Sequence, residues 1–133
     1  SSAKDRKELP WFYRFSAKLK LQKILPYTLI KRTNGFTYWL FGATSAHEKA
    51  LLKEILRKTP TTFLKWAINA ILTWKNTEIS THILHIHGDK DRILPYKNVK
   101  DTFCITGGVH SMIVNKAHEI TPLINKFLNN AND

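Results

Sequence analysis

Apolar residues recur at helical spacing through the first half of the chain and in short unbroken runs after it. Behind Leu9-Pro10, the residues Trp11, Phe12, Phe15 and Leu19 share one helical face, and Pro is preorganised for the start of a helix. Pro26 opens a further short segment, and Asn34-Gly35 marks a turn. Phe36, Tyr38, Trp39, Leu40 and Phe41 then make a dense apolar run closed by Gly42. Ser45-Ala46-His47-Glu48 has the form of a capping box, in which Ser45 and Glu48 satisfy each other's free backbone donors. The helix behind it sets Leu51, Leu52, Ile55 and Leu56 against Lys49, Lys53 and Arg57. Thr59-Pro60 is expected to cap and start the next helix, which repeats Phe63, Trp66, Ala67, Ala70, Ile71 and Trp74 and is apolar enough to need cover on more than one side.

The periodicity changes after Trp74. His82 to His87 reads as a buried strand ending at Gly88, and Asp101 to Thr106 as a second one stopped by Gly107-Gly108. A helical pattern returns from Asn115 through Ala117, Ile120, Ile124, Phe127 and Leu128. Pro122 interrupts it, which predicts a break with Thr121 capping a fresh start, and residues 129–133 should fray. The pattern is therefore α/β: helices, then two strands of a parallel sheet, then a final helix. Two such strands cannot satisfy their own edges, so either helices cover them or further strands belong beside them. Shared edges or apolar helices would also support a homodimer.

Charge divides the chain at the same place. The 133 residues carry 21 Lys and Arg against 10 Asp and Glu. Residues 1–75 hold 15 of those cations and 4 of the anions, while residues 76–133 hold 6 of each, so the whole net charge of +11 lies on the helical half. Lys and Arg interleaved with Trp and Tyr are compatible with a polyanion-binding module, yet the cations lie opposite apolar stripes, as on solvated helix faces, and no phosphate loop or specific nucleic-acid motif occurs. The aromatic residues are expected to build the core of this half, some of them lining an apolar pocket. No apolar run approaches the ~18–20 residues of a membrane span, which predicts a soluble chain. One cysteine, Cys104, excludes an internal disulfide and fits a reducing, cytoplasmic compartment; in mid-strand it is expected to be a buried, inert thiol. The opening Ser1-Ser2-Ala3-Lys4 has neither an initiator Met nor an apolar leader and reads as an internal start.

Candidate chemistry concentrates at His82, His85, His87, Asp89 and Asp91, with His110 further on. His85 and His87 share a strand face, and with Asp89 they could contribute to a metal site of a metal-dependent hydrolase, a site for which Lys90 is an unfavourable neighbour. Alternatively these residues hold turns together by bonding to backbone, the expected role of His82, His85 and His87. Ser111 shows no nucleophile pattern around it.

His87-Gly88-Asp89-Lys90-Asp91-Arg92-Ile93-Leu94-Pro95, followed by Gly107-Gly108-Val109-His110, resembles the C-terminal part of the α/β-hydrolase family. There a strand ends in His-Gly-x-x-Asp-x-x-x-Pro, and the next ends in a Gly-rich turn that bears a His. The resemblance implies a Ser-His-Asp triad with Asp91 as the acid, His110 as the base and Asp89 as the alternative acid. It also implies a basic helical cap over residues 1–77, and the last two strands and final helix of the hydrolase core over 78–133. The implied reaction is cleavage of a small ester or amide without a cofactor. Asp91 and His110 are only 19 positions apart, so the helix between those strands should be lost or reduced to one turn. No Gly-x-Ser-x-Gly occurs in the sequence, so the implied nucleophile is not among these residues, and the isolated chain is expected to be inactive.

Overall fold

A computed structural model describes residues 2–20, 24, 26–27, 31–100 and 102–130. The segment expected behind Pro26 falls largely outside the described residues, as do Asp101 and the last three positions. Helices α1 (Trp11–Lys18), α2 (Gly35–Phe41), α3 (Ala46–Lys58) and α4 (Thr61–Leu72) precede strands β1 (Ile86–Gly88) and β2 (Phe103–Ile105), and α5 (Ala117–Asn130) follows. No described helix is long and apolar enough to cross a membrane.

Local chemistry accounts for the helix ends. Asn34 caps α2 by accepting from the Thr37 amide at 2.9 Å. Gly42 ends that helix in the left-handed conformation at φ 75°, where a Cβ would stand 2.4 Å from that of Val109. The expected capping box opens α3, with the Glu48 amide donating to Ser45 Oγ and the Ser45 amide to Glu48 Oε2. Thr59 closes α3 instead of opening α4: its amide and hydroxyl both return to the Ile55 carbonyl, and Pro60 takes the N-cap position of α4.

β1 and β2 pair in parallel, with Ile86 opposite Phe103, His87 opposite Cys104 and Gly88 opposite Ile105. Both strands are shorter than their apolar runs predict, because the regular ladder extends only where the two overlap. Residues 89–102 make the crossover, and a single 3-10 turn, Tyr96–Asn98, stands where a connecting helix would be.

One face of the sheet is covered. Ile105, Met112 and Ile120 form a buried cluster, with Ile86 and Leu123 packed against it. α5 packs Ile120 into this cluster and continues through Pro122, so the predicted break does not occur. Pro122 lies near the start of α5 on its exposed side, where the carbonyl left without its amide can turn to water. The other expectations of burial fail for a related reason. Cys104 is exposed because β2 is an edge of the two-stranded sheet seen among the described residues, whereas His87, opposite it on β1, is completely buried. Nor do the aromatics build a core. Trp11, Phe36 and Trp66 are 70%, 67% and 64% exposed, and they meet in surface pairs such as Phe36 with Trp39 at 5.8 Å and Phe63 with Trp66 at 5.6 Å.

Candidate acid–base site

The turn after β1 builds the acidic side of the site. Gly88 ends the strand, the Asp91 amide returns to the Gly88 carbonyl at 3.3 Å, and the chain then doubles back over the Asp91 side chain. Asp91 Oδ1 accepts from the Ile93 and Leu94 amides, both at 2.9 Å, as an Asx-type turn requires. Leu94 also offers its carbonyl to His87 Nε2 at 2.8 Å. His87 is completely buried and its Nε2 stands 3.4 Å from Asp91 Oδ2, so the carboxylate is held from both sides of the turn. Bonded in this way His87 carries its proton on Nε2, and its buried Nδ1 has no partner among the described residues.

The turn after β2 supplies the base. Gly107 is left-handed at φ 70°, and its amide donates to Asp89 Oδ1 at 2.7 Å. Gly108 passes directly against Gly88, and the Lys90 amide donates to its carbonyl at 2.9 Å. The two turns are thereby clamped together, and His110 Nδ1 donates to Asp91 Oδ2 at 2.9 Å. The Asp91 side chain is fully buried, whereas that of His110 is 26% exposed. No described residue hydrogen-bonds His110 Nε2, which is left as the acceptor of this tautomer.

Burial alone would raise the Asp91 pKa. The hydrogen bonds from His110 and the Leu94 and Ile93 amides, together with the His110 charge, outweigh it and hold the carboxyl below its ordinary range. Asp91 is thus an anion at neutral pH that fixes the His110 tautomer and would stabilise an imidazolium. An imidazole so oriented can take a proton from a hydroxyl and return it to a leaving group.

Three residues of the helical half, Phe41, Tyr13 and Glu48, make contacts here that the sequence reading missed. Phe41 packs edge-on to the His110 ring at 5.9 Å, and its carbonyl accepts from the Ser111 hydroxyl at 3.0 Å. Tyr13 donates its hydroxyl to the Ile93 carbonyl at 3.1 Å, and its pKa is raised first by burial and then by the Asp91 charge. Glu48 Oε1 accepts from the side-chain Nδ2 of Asn115 at 2.6 Å, tying α3 to the loop after His110. Only the spacing of His87 and Asp91, four apart across a turn, carried a local signal; the others join residues too far apart in the chain to leave one.

The other candidates are separated. His85 Nε2 donates to the Ser2 carbonyl at 2.8 Å, and His82 Nδ1 lies 3.1 Å from the Thr81 hydroxyl. Asp89 bonds the Gly107 amide, and it is Asp91 that meets His110. Among the described residues, no group of three or more His, Cys, Asp or Glu is gathered to hold a metal ion, so His85, His87 and Asp89 do not converge as ligands. Ser111 is committed to Phe41 and faces no base. A recess of about 800 Å³ beside α5, lined among others by Ala117, Thr121 and Asn125, includes neither Asp91 nor His110.

No family model matches this chain, and comparisons with curated proteins and with solved structures returned no match.

Proposed function

We propose that this chain supplies the acid and base of a serine-type α/β hydrolase, together with a helical cap, and that the nucleophile comes from polypeptide outside these residues. The observation that carries the reading is the pair His110 Nδ1–Asp91 Oδ2 at 2.9 Å, its acid fully buried and its base partly open. The imidazole is partly exposed and no described residue engages its Nε2, as a base that must reach a substrate requires. The crossover reduced to one 3-10 turn and the parallel order of β1 and β2 agree with the reading. In the working enzyme a serine would attack the carbonyl of a small ester or amide. His110 would accept the serine proton and deliver it to the leaving alcohol or amine, while Asp91 keeps the imidazole oriented. No cofactor enters this chemistry.

The test begins with the reading frame upstream of Ser1. A Gly-x-Ser-x-Gly is expected there, and the longer protein should be labelled at that serine by a fluorophosphonate, with labelling lost in His110→Ala. The 133 residues alone should not be labelled. Stoichiometric labelling of the short chain, or an upstream frame without a serine elbow, would overturn the reading.

A further inference from the structure

We infer that the helical half contains a binding site for a small molecule carrying a phosphate or diphosphate group, in the cleft between α3 and the segment that leads into α2. The cleft is about 450 Å³ and is lined by Lys31, Arg32, Thr33, Lys53 and Arg57. Among the described residues, four of the five that line it are cations, the fifth is a hydroxyl donor, and none is a carboxylate. Lys53 and Arg57 are four apart on α3 and share a face, a spacing at which like charges repel. The nearest acid along that helix does not relieve them, because Glu54 pairs with Lys58 at 2.7 Å.

Other cations of the same half have partners. Lys49 and Lys65 stand over the rings of Tyr38 and Tyr27, at 5.8 and 5.5 Å. No described acid or ring engages the four in the cleft, and they converge on one recess instead of spreading along a helix. The far wall is also held in place. The Thr37 hydroxyl donates to the Arg32 carbonyl at 3.3 Å, and Asn34 caps α2 immediately after it. An anion entering the cleft would meet one planar fork from each arginine, a point charge from each lysine and a hydroxyl, the donor set that suits phosphoryl oxygens.

The shape of the site selects the ligand class. No described ring lines the cleft, which therefore presents no stacking platform for single-stranded bases among these residues. Its volume accommodates a compact phosphorylated compound. Neither Asp91 nor His110 lines it, so the site is independent of the proposed hydrolase chemistry.

Titration of the 133-residue chain at low salt with inorganic pyrophosphate tests the proposal, followed by calorimetry and backbone amide shifts. Saturable binding of one pyrophosphate is expected, with the largest shifts at Thr33, Lys53 and Arg57. Lys53→Gln with Arg57→Gln should weaken binding at least tenfold, while Lys97→Gln, outside the cleft, should leave it within twofold. Both substituted sites on α3 are exposed, and circular dichroism confirms that the variant is folded. Binding of soluble pyrophosphate assigns a free phosphate compound. Binding only to vesicles containing phosphatidic acid, with the same loss in the double variant, assigns a lipid headgroup as the source of the phosphate. Absence of binding to either, equal weakening by Lys97→Gln, or tighter binding of oligodeoxythymidine with shifts spread over α1 and α4, would overturn the proposal.

Discussion

Gly88 and Gly108 touch backbone to backbone: a Cβ on Gly88 would stand 2.2 Å from the Gly108 carbonyl oxygen. Gly88 lies three residues before Asp91 and Gly108 two before His110, so this contact sets the distance at which the acid and the base meet. Both glycines are needed for closeness; neither has the positive φ that marks Gly42 and Gly107.

Gly88→Ala should therefore push the two turns apart. The neighbour is a carbonyl, which cannot swing away as a side-chain tip can, and a cost of about 3 kcal/mol is expected. Urea unfolding measures the loss. In the folded fraction, the His110 Nδ1 proton should move out of its hydrogen-bonded range by NMR. Gly35→Ala is the control: nothing lies within 4 Å of a Cβ there, and stability should change by less than about 1 kcal/mol.

Asp91 and His110 should be unequal partners. Asp91→Ala strips the acceptor from the Ile93 and Leu94 amides and from the His110 imidazole within a buried turn, with an expected cost of about 3–5 kcal/mol. His110→Ala leaves Asp91 its two amides and should cost about 1–2 kcal/mol. A double-mutant cycle by denaturant unfolding should give a coupling of about 1–3 kcal/mol. Additive effects would show that the pair does not interact in solution.

Glu48 ties α3 to the site-bearing half and should do so only when ionised. The Ser45 amide bond, the largest influence, outweighs the opposing effect of burial, and with the Thr44 amide and both hydroxyls it draws the Glu48 pKa down to about 2. On acidification the unfolded chain takes up this proton first. The stabilisation is complete above the ordinary carboxylate range and is lost as pH falls towards about 2. Glu48→Gln should cost about 2–3 kcal/mol at neutral pH, and the difference from the unsubstituted chain should shrink to nothing in strong acid.

His85 responds in a different pH window. Burial lowers its pKa, and the Lys4 charge adds to this, while the bond to the Ser2 carbonyl opposes it less strongly. The unfolded histidine protonates near its ordinary value of about 6.5, and the folded one only at lower pH. Folding stability contributed here is present above that ordinary value and declines as pH falls below it. His85→Gln, which keeps a donor for Ser2, should flatten the stability profile between about pH 7 and 5 relative to the unsubstituted chain.

Local signals described much of this molecule. The Ser45–Glu48 box, the turn at Asn34-Gly35 and the order of helices, strands and final helix all depend on residues within a turn or a strand of each other. A meeting of Asp91 with His110 was expected only from the resemblance of their two turn motifs to those of a known family. Lateral cover left no such trace. Sequence alone sent the aromatics and Cys104 inward, since apolar patterns state a preference for burial without stating whether a second layer exists to provide it.

The amino-acid sequence by itself determined where α3 starts, which segments form strands and where the positive charge collects, because capping, periodicity and composition act over short spans. The tertiary structure alone decided that Asp89 bonds the Gly107 amide, that His85 and His87 do not gather as metal ligands, and that α5 runs unbroken through Pro122. Each of these depends on a close approach between distant segments: Gly88 against Gly108, Asp89 against Gly107, and Ile120 against Ile105 and Met112. Such contacts are settled by how backbones fit together in space, a property that no local window of residues contains.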